Sequence, residues 1–370
     1  MTKMKRYITA IFAGLSLLAS CEKYETIKTV DRDFVNNYEA FWNMVNENYC
    51  FLGKAYGNDK NVDWQAVYDK WMPIVKNDVK EEYELFNIIG KSLDVLKDGH
   101  IWMESDFKAY SNDKYLYDAN GTKYPDNFVK GLVQELYFNR NVTDADDYKG
   151  DKSFVTVNGF PYGTIERDGK KIAYIYHGDF TKEFTEADMA ALNPLVRGAD
   201  ALIYDIRNNP GGSGIMALTQ AALFFKEKTL VGHDAFKNGP GHDDFSEPTP
   251  NYVIPSDNYD WTDKPTALLT DRHVYSTANL FACIMKQLPD DQVILVGQIT
   301  GGGGGLPMSH YLPNGWNLVF SSNILLDENK KHIEGGIIPD VDAEIGDWKA
   351  TGKDGVVEKA LEELLKKVNN

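Results

Sequence analysis

The sequence predicts an α/β protein, a layered core of alternating strands and helices preceded by a small helical unit. Two observations carry this. Between residues 164 and 296, buried-looking strands at Ala201–Asp205, Thr266–Thr270 and Gln292–Val296 alternate with helical patterns over 184–196, 214–225 and 276–287. Upstream, apolar residues recur at helical spacing in three segments. The first carries Phe34, Tyr38, Phe41, Trp42 and Val45, the second Trp64, Val67, Tyr68 and Trp71, and the third Leu85, Ile88, Ile89, Leu93 and Leu96.

The chain starts with Lys3, Lys5 and Arg6 ahead of an apolar run, Ile8 to Leu18, that is too short to span a bilayer. Leu18-Ala19-Ser20-Cys21 closes that run and resembles the lipobox of bacterial lipoproteins. The resemblance implies a signal peptide over 1–20 and a lipidated Cys21 as the first mature residue. It also implies a protein tethered by its polar 21–34 segment to a membrane of the bacterial cell envelope, facing the periplasm or the cell surface. A cleaved secretory signal with an incidental cysteine is the alternative.

The helical unit occupies 35–104, and its third helix runs into Lys97-Asp98-Gly99-His100. There Gly99 reads as the stop signal, Asp98 as a helix-end surface charge, and His100 by itself as structural or exposed. Residues 105–163 read as an irregular or β-rich insert, with Phe128–Tyr137 as a strand or short helix and Ser153–Val157 as a strand. The core follows over 164–348. It opens with a hairpin around Asp168-Gly169 and includes a turn-rich loop at 229–262 and a second hairpin from 316–320 and 323–326. An amphipathic helix, Val356–Val368, closes the C-terminal segment 349–370.

With 55 acidic against 39 basic residues the formal charge is −16, which excludes a nucleic-acid partner as the natural reading. Cys50 and Cys283, the two cysteines after Cys21, read as buried free thiols. No zinc spacing and no other metal motif is present. Nothing in the sequence fixes an oligomeric state.

Chemistry concentrates in two places. Ser276 stands at the mouth of an apolar helix, where unpaired backbone N–H groups can stabilise an oxyanion, and five glycines, Gly301 to Gly305, follow the next strand. Asp205-Ile-Arg-Asn-Asn-Pro-Gly-Gly212 follows a buried strand and precedes a helix, with glycines that let backbone approach a ligand. A phosphate loop would need Lys-Ser/Thr after those glycines, and neither is there.

These segments, Ile203–Gly212, Tyr275–Ala282 and Val296–Gly301, resemble three successive core motifs of the C-terminal processing (tail-specific) serine proteases. Asp98-Gly-His100 and Glu334–Asp340 extend the match. The resemblance implies a crotonase/Clp-protease-like ββα core and hydrolysis of peptide bonds in a peptide or protein substrate, without a cofactor. It places Ser276 as nucleophile, with Thr277 and Gly211 or Gly212 as oxyanion donors. The best-known branch draws its base from a lysine in the turn that is all glycine here, whereas the tricorn-type branch uses an upstream histidine, which His100 matches. Glu334 matches the tricorn-type acid, with Asp271 and Asp98 as rivals.

The insert is shorter than a PDZ module and lacks a convincing carboxylate-binding loop, so recognition of free C-termini does not carry over. The alternative is a catalytically silent ligand- or peptide-binding protein on the same scaffold, with the glycine run as a mark of decay.

Overall fold

The computed structural model describes residues 31–58, 60–112, 128–129, 131–138, 154–157 and 160–369. The leader over 1–20, Cys21 and the tether as far as residue 30 lie outside them, as does much of the 105–163 insert.

Three helices come first: α1 (Phe34–Asn48), α2 (Trp64–Asn77) and α3 (Glu82–Leu93). Side-chain caps start each one, Asp33 accepting from Asn36 N–H, Asp63 from Ala66 N–H, and Glu81 pairing reciprocally with Glu84. A short 3₁₀ turn extends α3, and Lys97, not Gly99, takes the left-handed conformation that ends it. Strands β1 (Trp102–Glu104) and β2 (Ala109–Ser111) follow, then α4 (Leu132–Phe138), the short-helix option for its segment.

The core is built from β3 (Phe154–Val157), β4 (Phe160–Arg167), β5 (Lys170–Tyr176), α5 (Glu186–Arg197), β6 (Ala201–Asp205) and α6 (Gly214–Ala221). Next come β7 (Thr229–Phe236), β8 (Thr249–Val253), β9 (Thr266–Thr270), α7 (Thr277–Met285) and β10 (Val293–Gly297). The chain finishes with β11 (Pro307–Tyr311), β12 (Asn317–Ser321), β13 (Asn323–Leu326), β14 (Val341–Asp342), α8 (Trp348–Thr351) and α9 (Gly355–Val368).

Among the described residues the main sheet has seven strands in the order β14-β10-β9-β6-β5-β4-β3, parallel from β5 to β14. Its central strands are buried at every position and largely apolar because both faces are covered. Leu202, Tyr204, Leu268 and Leu295 pack under α5, α6 and α7, while Ala201, Ile203, Leu269 and Val296 face α9 and α4. The Asp168-Gly169 hairpin is present with both residues at positive φ. Cys50 and Cys283 are buried and unbonded to each other.

Two expectations fail. Residues 229–262 are not simply a loop: β7 pairs with β8 on one side and β13 on the other in a separate three-stranded sheet. Nor do 316–320 and 323–326 form a hairpin. Between them the chain changes sheets, β12 pairing with β11 and β1 while β13 joins β7. Two short, largely apolar strands joined by one residue look identical to a hairpin until the partners are known.

The N-terminal helices do not pack as a separate body. Their apolar stripe shares one core with Leu312, Trp316, Leu318, Phe320 and Ile324 from the far end of the chain. A second tie is ionic. Arg207 Nε and Nη2 donate to the two Asp205 oxygens at 2.9 and 2.7 Å, and Nη1 donates to Asp354 Oδ2 at 2.8 Å. Asp354 also caps α9, so the guanidinium joins the 205–212 turn to the C-terminal helix. All three side chains are buried. Replacing Arg207 by Met would leave two buried carboxylates without a cation, and denaturant unfolding should register a loss of about 3–5 kcal/mol. Arg207→Lys should recover only part of it, because an ammonium cannot reproduce the two-pronged contact with Asp205.

Candidate active site

Ser276 lies at the junction between β9 and α7, as its N-cap, with φ 56° and ψ −123°. That conformation is costly for a residue with a Cβ, about 1–3 kcal/mol, and persists only where surrounding structure enforces it. Here the enforcement is visible. The Ser276 N–H donates to Gly302 O at 2.8 Å, Gly301 N–H to Val274 O at 2.7 Å, and Tyr275 N–H to Asn209 O at 3.0 Å. The serine is thus held between the 205–212 turn and the glycine run.

The glycines are there because nothing larger fits. A Cβ on Gly303 would stand 2.6 Å from the Tyr275 ring and 2.8 Å from Ser276 N. On Gly304 it would stand 2.7 Å from Glu334 N, and on Gly302 it would collide with the Glu334 carbonyl oxygen. The run is a backbone layer between the serine turn and the segment carrying Glu334.

Opposite Ser276 stands His100. Its Nε2 is 3.0 Å from Ser276 Oγ, so two residues 176 positions apart make one hydrogen bond. The ring packs edge-on against Tyr275 with centroids 5.0 Å apart, and the His100 N–H donates to Asp98 Oδ1 at 2.8 Å. Asp98 is not the surface charge its position suggested: it is 1% exposed and also accepts from the hydroxyls of Tyr49 at 2.9 Å and Tyr275 at 3.3 Å. His100 Nδ1 is buried and has no hydrogen-bond partner among the described residues.

The Glu334 carboxylate is 2% exposed and bound elsewhere. Its Oε1 accepts from Lys60 Nζ at 2.6 Å and its Oε2 from Gly304 N–H at 2.7 Å. Lys60 comes from the Gly/Asn/Asp loop ahead of α2 and carries no signal in the sequence. Asp271, the other rival, accepts from Asn208 N–H at 3.0 Å and His273 N–H at 2.9 Å, on the 205–212 turn.

Of the two candidate glycine donors, the Gly211 N–H is taken by Asn209 Oδ1 at 2.9 Å. Phe180 pairs across Gly212 through Phe180 N–H to Gly211 O and Ser213 N–H to Phe180 O, which leaves the Gly212 N–H outside that pairing. The Thr277 N–H is the first amide of α7, where the helix supplies no acceptor. Thr277 Oγ1 donates to Gly212 O at 2.7 Å and locks the two segments together. The Gly211 amide is thus already engaged, and Gly212 and Thr277 are the candidate donors that remain. A Cβ on Gly211 would stand 2.8 Å from that of Ser276.

Charge tunes the pair. Burial pushes the His100 imidazole below its ordinary value of 6.5, Asp98 and Glu334 pull it up, and Lys60 pushes it down again, with a net lowering. Burial also raises the Asp98 carboxyl, but Lys60, His100 and the hydrogen bonds from His100 and Tyr49 outweigh it and hold it below its usual range. At neutral pH His100 is thus an uncharged imidazole able to accept a proton. Among the described residues no group of His, Cys, Asp and Glu could hold a metal ion, and no helix is long and apolar enough to cross a membrane.

The sign for pH follows. A serine activated by neutral His100 would lose reactivity as pH falls through the imidazole's pKa, so the acidic limb of fluorophosphonate labelling of Ser276 should have its midpoint below 6.5. Lys60→Met removes a cation that lowers that pKa, and the limb should move to higher pH; an unmoved or lowered midpoint would count against the role given to Lys60.

Comparison with known proteins gives the family. The profile of peptidase family S41 matches residues 171–343, and that of the tricorn protease C1 domain matches 31–94. A putative peptidase from Parabacteroides merdae is similar in structure at a TM-score of 0.78 and 36% identity, over 90% of this chain and 98% of that one. Mature CPAF superposes with a TM-score of 0.61 at 12% identity, over 92% of this chain and 98% of that one, a likeness of fold alone. Among curated proteins, the carboxyl-terminal-processing protease of Picosynechococcus sp. is 26% identical over 183 residues, 47% of this chain and 40% of the relative. The carboxy-terminal processing protease CtpA of Bacillus subtilis is 24% identical over 273 residues, 68% of this chain and 55% of the relative. The chain spans about half the length of these two curated relatives.

Proposed function

The chain belongs to peptidase family S41, and from that premise we propose that it hydrolyses peptide bonds with Ser276 as nucleophile and His100 as its base. The 3.0 Å contact between Ser276 Oγ and His100 Nε2 carries the reading. In this mechanism Nε2 takes the hydroxyl proton as Oγ attacks the scissile carbonyl. The oxyanion that forms is met by the amides of Gly212 and Thr277, each such donor contributing roughly 3 kcal/mol. His100 then protonates the leaving amine, and water, activated by the same imidazole, releases the acyl group.

Glu334 acts in this reading through charge, not through a direct bond to the ring. With Asp98 it favours the imidazolium that appears during the reaction, and Lys60 keeps that pull from protonating His100 beforehand. Asp98 and Tyr275 orient the imidazole from the backbone side and by edge-on packing.

The silent-binder alternative drew on the glycine run in place of a lysine. The run has its own cause in the closeness of Tyr275, Ser276 and Glu334, so it no longer favours decay. Ser276→Ala should lower kcat on peptide substrates by roughly 10⁴-fold or more and abolish fluorophosphonate labelling. Unchanged peptidase activity in that variant would overturn the assignment.

The proposal extends to the N-terminus on sequence grounds alone: Leu-Ala-Ser-Cys21 supports lipidation of Cys21 and residence on a cell-envelope membrane. Expression of full-length Cys21→Ser should shift the protein from the membrane to the soluble fraction and remove incorporation of labelled fatty acid. Continued acylation of the variant would refute the anchor.

A further inference from the structure

A cavity of about 410 Å³ opens beside the nucleophile, and Ser276, Thr277 and Gly212 form part of its wall. A carbonyl seated on those two amides would send the side chain of the residue that supplies it into this cavity. Resting on the peptidase reading above, we propose that the cavity is the S1 subsite and that Asp234 makes it select long side chains with a cationic end, lysine or arginine, over acidic ones.

Most of the wall is apolar. Ile215 and Leu218 of α6, Leu280 and Ile284 of α7, Val231 of β7 and Leu326 of β13 line it, a surface suited to a methylene stem. The sheet of β13, β7 and β8 closes the other side, and here the chemistry changes. Gly232, Asp234 and Phe236 alternate along β7 and so share a face, and all three line the cavity together with Asn251 of β8. Asn251 Nδ2 donates to Asp234 Oδ2 at 2.7 Å, which fixes the carboxylate in place. Gly232 keeps the strand close to β13, because a Cβ there would stand 2.5 Å from Leu326 O.

No lysine or arginine lines the cavity, and among the described residues Asp234 has no salt-bridge partner. The neighbouring His233 also lines the cavity, and its Nδ1 lies 3.2 Å from Asp327 O. Burial pushes the Asp234 carboxyl up, and the hydrogen bond from Asn251 and the nearby His233 offset only part of that. A lysine or arginine side chain would lay its stem along the leucines and isoleucines and bring the missing charge. A glutamate of similar length would bring a second negative charge to the same place.

The test uses peptides identical except for lysine, arginine, leucine or glutamate on the acyl side of the scissile bond. It reads kcat/KM for the full chain and for Asp234→Asn and Asp234→Lys. Lysine and arginine peptides should be cleaved roughly tenfold or more faster than the glutamate peptide. Asp234→Asn should collapse that ratio, and Asp234→Lys should reverse it. Equal rates for lysine and glutamate in the parent chain, or a ratio that neither variant moves, would overturn the assignment of Asp234. Fluorophosphonate labelling of Ser276, run on each protein, separates the two levels of inference and reports on folding. A labelled serine with rates indifferent to the side chain defeats only the subsite proposal. An unlabelled Ser276 in the folded parent chain defeats the peptidase reading and this proposal with it.

Discussion

The site depends on the approach of two backbone segments to within van der Waals distance. The turn at Tyr275–Ser276 and the run Gly301–Gly305 are joined by hydrogen bonds on both sides of the nucleophile, and the run in turn lies against the backbone of Glu334. Side chains would hold these three layers apart. With the layers in contact, the strained φ of Ser276 is over-determined, its Oγ is presented to His100, and the first amide of α7 is left facing the same space. The glycines are therefore part of the chemistry without touching it.

Around this layer the charges form one buried network. Asp98, His100, Lys60 and Glu334 come from three separate stretches of sequence; Asp98, Glu334 and Lys60 all bear on the protonation of His100, and Lys60 and His100 on that of Asp98. Tyr49 and Tyr275 join it as hydroxyl donors whose own ionisation is pushed well up by burial and by Asp98 and Glu334. Two carboxylates near one imidazole would tend to protonate it, and the ammonium of Lys60 offsets that tendency. The outcome is a base that remains neutral at rest but lies in a field that favours its charged form.

Much of this was legible in the sequence, and the limits have physical causes. The parallel strands β6, β9 and β10 are largely apolar and bounded by glycine or turn residues, so their identity shows locally. Ser276 and the glycine runs were legible because helix mouths and backbone contacts have residue signatures. By contrast, β7 and β8 read as loop because the strand that completes their sheet, β13 beside β7, lies about ninety residues downstream of β7, and pairing at that distance leaves no local pattern. The burial of Asp98 and the contact of Lys60 with Glu334 were invisible for the same reason. Each looks like an ordinary surface charge until the chain from the other end is laid over it. The donor choice between Gly211 and Gly212 turned on Asn209, whose amide oxygen occupies one of the two N–H groups.

The helical unit and the C-terminal strands share a single core, and His100 is separated from Ser276 by 176 positions along the chain. A polypeptide still emerging from the ribosome therefore carries its imidazole long before its hydroxyl, and the strands that complete the imidazole's surroundings are among the last to appear. Ser276 gains its partner only when the whole fold closes. The topology works as a built-in delay, because the contact between Ser276 and His100 needs both stretches of one chain.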